Sequence, residues 1–159
     1  MAALALMALV AAAASPASAD ETPHAEKGKY CTQWESFYGQ GGYTFTDARV
    51  CLGVNGLGMV TETVETDRNT YWHGSVWWST TPGYPADVNA DVTFGGQTRR
   101  GSWTQESRSA EKLVGHIVFD QCGLWTIGFR YYQVGGYYGG DKAINETRNY
   151  EIRIPCAWD

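Results

Sequence analysis

The chain has 159 residues, 43% of them hydrophobic, with 12 Lys+Arg against 17 Asp+Glu and a formal net charge of -5. That length allows one globular domain, or a domain behind a leader. An acidic chain whose longest basic run is Arg99-Arg100 is poorly equipped to neutralise a phosphate backbone, so nucleic acid is excluded as an expected partner.

Residues 2–14, AALALMALVAAAA, form an apolar run the length of a signal-peptide core, and Ala17-Ser18-Ala19 fits the small-x-small cleavage pattern. We therefore expect residues 1–19 to be a cleaved signal peptide, with secretion and an extracellular setting to follow. No Lys or Arg precedes the run, which fits a start placed too far downstream. The run is too short to span a bilayer, and no other segment reaches the ~18 apolar residues that a span needs. All 7 Trp, 10 Tyr, 5 Phe and 19 Gly lie beyond residue 19. A chain that size buries about two-thirds of its unfolded surface, and with Leu, Ile and Val sparse, aromatic rings must supply much of the core.

Residues 20–29, DETPHAEKGK, are polar and without period and read as a flexible N-terminal segment; 30–159 reads as a single β domain. Runs rich in Thr, Val, Ile, Tyr and Trp, separated by Gly, Pro, Asn or Asp, predict strands at 30–38, 43–54, 58–67, 70–79, 90–94, 98–104, 113–120, 124–134 and 149–155. Asn55-Gly56 marks a hairpin. No window supports a useful helix; Gln105 to Leu113 is a turn or loop. Trp125, Ile127, Phe129 and Tyr131 alternate with Leu124, Thr126, Gly128 and Arg130, and Tyr150, Ile152 and Ile154 alternate likewise, so each run has one apolar face. The sum is an all-β fold: an antiparallel sandwich or barrel of roughly 8–9 short strands.

Four cysteines in an exported chain predict two disulfides. Folding the first hairpin about Gly41 sets Cys31 opposite Cys51, which leaves Cys122 for Cys156. Cys122 has the opposite parity to Trp125, so Gly123 must be a bulge or turn that resets the phase. Zinc is the rival for four cysteines, but no two stand within four residues of each other.

Catalytic signals are thin. His24, His73 and His116 are scattered, and no Gly-x-Ser-x-Gly is present. The hairpin register that pairs Cys31 with Cys51 sets Glu35 opposite Asp47, which would suit two catalytic carboxylates or a bridging cation, or else two solvated side chains. Asp87, Asn89 and Asp91 have the spacing that opens a calcium loop, yet Val92 and Thr98 stand where Gly and Glu belong, so a plain surface loop competes and metal binding is left undecided. No cofactor is expected.

The distinctive texture is Tyr with Gly, in Phe37–Tyr43 and again in Tyr131–Asp141. Recognition loops use rigid amphipathic rings for contact area and glycine for adaptable backbone, and rings stack on sugar faces; packing over the sandwich ends is the duller alternative. Trp77 and Trp78 must point to opposite faces of one strand shared with Trp72, so one of the two is exposed, and Trp103 is a second exposed candidate. The ligand-contacting set expected is Tyr38, Tyr43, Trp77, Trp103, Tyr132, Tyr137 and Tyr138, and the leading function is a non-catalytic secreted binding domain for a carbohydrate or another extracellular surface. An inhibitor or partner of a secreted hydrolase, presenting residues 133–149 on a loop pre-organised by the neighbouring disulfide, is the alternative. A hydrolase using Glu35 and Asp47, or His73 or His116, ranks third. Asn145-Glu146-Thr147 matches the N-glycosylation acceptor pattern.

Overall fold

The computed structural model describes residues 23–57, 59–81, 83–105, 110–118 and 121–158, over 110–118 by backbone alone. The expected signal peptide, residues 1–19, lies outside them. The strands in chain order are β1 (His24–Ala25), β2 (Gly28–Cys31), β3 (Glu35–Tyr38), β4 (Thr44–Val54), β5 (Met59–His73), β6 (Val76–Ser79), β7 (Ala86–Phe94), β8 (Gln97–Gln105), β9 (Ala110–Val118), β10 (Gly123–Gly135), β11 (Ile144–Ile154) and β12 (Cys156–Ala157).

Two antiparallel sheets face each other as a β-sandwich. In the six-stranded sheet the long strands β4 and β5 run side by side, with β2 and β3 sharing the free side of β4 and β6 and β9 sharing the free side of β5. The four-stranded sheet has the order β11-β10-β7-β8. Period-two burial drives the packing. Ala48, Val50 and Leu52 of β4 meet Val88, Val92, Ile127 and Phe129 of the other sheet in one core, while the alternate residues lie on the outer faces, where Asp47 and Cys51 are buried by their own partners. Aromatic rings do supply a large share: Phe37 meets Phe129 edge-on at 5.8 Å and Tyr131 at 5.4 Å between the sheets.

Both disulfides are Cys31–Cys51 and Cys122–Cys156, the pairing that the hairpin register implied. Gly123 takes φ 126°, in the region that suits glycine, and resets the strand phase beside Cys122. The Asn55-Gly56 hairpin is present, its turn closed by Asn55 Oδ1 accepting from the backbone N–H groups of Leu57 and Met59.

Several expectations are corrected. From His24 onward the supposed flexible segment is paired: β1 joins β12, β2 joins β4, and Ala25 is buried in the core. The strands expected at 58–67 and 70–79 divide elsewhere, because Asp67-Arg68-Asn69 is a bulge inside β5 and not a turn. Pairing slips between Phe45 and Asp47 opposite it, Arg68 takes φ 51°, and the true hairpin falls at Gly74-Ser75. Asp87, Asn89 and Asp91 belong to neither a calcium loop nor a surface loop. They are the outward residues of β7, alternating with buried Val88, Ala90 and Val92. Each is engaged across the strand pair: Thr104 Oγ1 donates to Asp87 at 2.8 Å, Ser102 Oγ to Asn89 at 2.6 Å, and Arg100 Nε to Asp91 at 2.6 Å.

Candidate functional site

The bulge at Arg68 decides which residues share the outer face of the six-stranded sheet. Along β5 the buried positions are Val60, Glu62, Val64 and Thr66 before the bulge, then Asn69 and Tyr71 after it, so the parity switches. Thr70 and Trp72 are thereby turned outward. Across the strands Tyr38 pairs with Phe45, Phe45 with Thr70, and Trp72 with Trp77, which lines these side chains up on one face. Tyr38, Phe45, Arg68, Thr70 and Trp77 enclose a groove of about 390 Å³. Its walls are two wet rings, Tyr38 and Trp77, 52% and 46% exposed. Its floor is the Phe45 ring, 5.0 Å from Tyr38 and 6.2 Å from Trp77, with the Arg68 guanidinium 5.3 Å above it.

A second aromatic group lies at the adjoining end of the sandwich, where the two Tyr/Gly connections meet. Thr44 Oγ1 donates to the Lys142 carbonyl, the Tyr43 and Tyr138 rings sit 5.5 Å apart, and Lys142 Nζ lies 5.0 Å from the Tyr43 ring. Tyr138 Oη donates to the Trp72 carbonyl at 2.7 Å, which ties the connection after β10 to the groove strand. Tyr137 stacks parallel to Tyr71 at 6.1 Å and lies 4.0 Å from the His73 ring. Burial, with Tyr84 and Tyr137 close by, pushes the Tyr71 phenol up.

Gly39 makes this meeting possible. A Cβ there would lie 1.8 Å from Thr44 Oγ1 and 2.0 Å from the Lys142 carbonyl oxygen, whereas one at Gly140 meets nothing within 4 Å. Gly39→Ala should therefore cost about 1–3 kcal/mol by forcing the two connections apart. Gly140→Ala should stay within about 0.5 kcal/mol, and urea denaturation of the pair checks both.

The expected set is thus brought together only in part. Tyr38 and Trp77 form the groove, and Tyr43, Tyr137 and Tyr138 form the adjoining cluster. Trp103 is not an exposed ring: it faces inward from β8, packs on the core and donates from Nε1 to Gln105. Tyr132 is in neither group, because β10 carries it outward onto the other side of the sandwich, beside Asn89, Asp91, Arg100 and Arg130. Tyr131 belongs to the core and not to a connection; burial pushes its phenol strongly up, and Oη donates to Gln133 Oε1 at 2.7 Å. Trp77 and Trp78 do take opposite faces, yet Trp78 too is 51% exposed, since β6 is an edge strand that the other sheet leaves uncovered.

The carboxylate pair is not formed. Glu35 pairs with Ala48 and Asp47 with Ser36, one residue out of the register that Cys31 and Cys51 set. Glu35 turns inward to accept from Tyr150 Oη at 3.0 Å, and burial together with that carboxylate pushes the phenol up. Asp47 turns outward to Arg68. His24 pairs in β1, His73 lies under Tyr137, and the side chain of His116 is outside the described residues. Among the described residues no group of three or more His, Cys, Asp or Glu could hold a metal ion, and no helix is long and apolar enough to cross a membrane. The disulfide Cys122–Cys156 closes the far end of the β10–β11 hairpin, so it does not brace residues 136–143; Thr44 and Trp72 do.

Phe45, Arg68 and Thr70 escaped the sequence reading. The signal was there in the switch from even to odd buried positions between Thr66 and Tyr71, hidden because Asp-Arg-Asn mimics a turn. No protein-family model, curated protein or solved structure matches the chain, so the functional reading rests on this geometry.

Proposed function

We propose that the protein is a secreted, non-catalytic binding domain and that the groove between Tyr38 and Trp77 takes a sugar ring of a carbohydrate. The observation that carries this reading is the pair of half-exposed rings, Tyr38 and Trp77, lining one groove with the Phe45 ring between them. Large apolar surface left wet beside a polar rim marks a contact site. An exposed aromatic ring face accepts the C–H face of a pyranose, and the flanking Thr70 and Arg68 offer partners for its hydroxyls. Polar atoms beside an apolar floor are the usual composition of a small-molecule cleft. The aromatic cluster of Tyr43, Tyr137 and Tyr138 adjoins the groove and extends the surface available to a longer chain. The apolar leader and the two disulfides support an extracellular setting.

The test is retention of the protein on insoluble chitin, cellulose, xylan and peptidoglycan, with tryptophan fluorescence followed on soluble oligomers. Retention with a spectral shift is expected. Trp77→Ala should abolish the shift and weaken binding about tenfold or more, as loss of one stacking ring typically does at a contact centre. It should change the unfolding free energy by less than about 1 kcal/mol because the ring is outside the core. A protein that passes all four matrices without retention would sink the reading and turn the search to a secreted protein partner.

A further inference from the structure

Within the saccharide reading, on which the following rests, the groove has a single charged member, and its setting is unusual. Arg68 donates from Nε to Asp47 Oδ2 at 2.6 Å and from Nη2 to the same oxygen. Ser36 Oγ donates to Asp47 Oδ1 at 2.8 Å. Both oxygens of a carboxylate that is only 8% exposed are thus taken, and the charge of the guanidinium is balanced in place. Among the described residues Arg68 Nη1 makes no hydrogen bond, and the side chain is 61% exposed over Phe45.

Its backbone is the second observation. Arg68 sits at φ 51°, a left-handed conformation that costs free energy for any residue bearing a Cβ and suits glycine at a bulge. The bulge needs that conformation, but it does not need arginine. Strain retained at a ligand-sized groove points to a role in the groove.

We infer that Arg68 is the specificity-determining residue of the groove and that its ligand is an uncharged saccharide, held by Nη1 N–H donation to a hydroxyl or acetamido oxygen. An acidic saccharide would approach a protein of net charge -5 through a groove whose only cation is already neutralised. A planar guanidinium fixed by one carboxylate presents its remaining N–H groups in a set direction, which suits a neutral acceptor.

Titration of the protein, by tryptophan fluorescence, with cello-, xylo- and chito-oligosaccharides and with oligogalacturonate at low and high salt tests this. The expected result is binding of at least one neutral oligomer with little dependence on salt, and weaker or no binding of oligogalacturonate. Arg68→Gly should lower the affinity for the neutral oligomer about tenfold to a hundredfold, the range for a charge-assisted hydrogen bond. Arg68→Gly combined with Asp47→Asn avoids stranding a buried carboxylate and should show the same loss in a protein that unfolds cooperatively. Tighter binding of oligogalacturonate, or neutral binding that neither variant weakens, would overturn the inference while leaving the saccharide reading intact. Flat titrations with every oligomer would overturn the inference, and flat titrations together with no retention on any of the four matrices would overturn both.

Discussion

Phe37→Ala should lower the unfolding free energy by about 3–5 kcal/mol, a large part of the ~5–15 kcal/mol that holds a domain of this size. Phe37 is 1% exposed and projects inward from β3, a strand of only four residues at the sheet edge. It is the apolar side chain with which β3 packs on the opposite sheet, touching Phe129 and Tyr131, while Glu35 of the same strand accepts from Tyr150. Truncation removes the burial of the ring and leaves a cavity between residues fixed by their own strands, so collapse can recover little. Its neighbour Tyr38 is the outward residue of the same strand and a wall of the groove. Loosening β3 should therefore weaken the proposed saccharide binding as well, whereas Tyr38→Ala should weaken it with a stability change below about 1 kcal/mol. Urea denaturation and fluorescence titration of the two variants separate these effects. A loss under about 1 kcal/mol for Phe37→Ala would mean that the two sheets close without the ring.

Replacing Cys122 and Cys156 together by Ser should cost about 3–4 kcal/mol. The bridge spans 34 residues, and closing a loop of that size removes about this much chain entropy from the unfolded state. It also anchors β12, and through it β1, to the start of β10, since Cys156 is paired with Ala25. The groove lies towards the other end of the sandwich, where β3 runs into the Gly39 connection and the β10–β11 hairpin turns. Well below its lowered melting temperature, the double variant should thus show the same fluorescence shift that the proposed saccharide binding gives in the parent. Equilibrium denaturation with and without reductant gives the stability change, and a shift lost together with the bridge would show that the two ends are coupled.

How far the sequence was legible follows from the range of the interactions involved. Alternation at Trp125–Tyr131 and Tyr150–Ile154 showed the core faces because burial acts with the strand's own period of two. The disulfide partners were legible because Cys31 and Cys51 share a hairpin whose turn is local. The same register failed four residues further on, at Glu35 and Asp47, where β3 slips by one and each carboxylate finds a partner from elsewhere: Tyr150 for one, Arg68 for the other. Trp103 read like an exposed recognition ring, since Trp next to charge looks alike on a loop and on a strand. Only the position of the opposing sheet put it inside.

The local pattern by itself determined the all-β antiparallel class, with sandwich and barrel both open, the two disulfides and the aromatic supply of the core, all of which rest on side-chain periodicity and short loops. Tertiary structure alone decided the site. One bulged residue at Arg68 inverts the faces of the rest of β5, and the docking of Gly39 on Lys142 brings together two connections about a hundred positions apart in the chain. Both depend on contacts between distant strands, and the free energy of such contacts is set by which surfaces are buried against each other and not by any neighbouring residue.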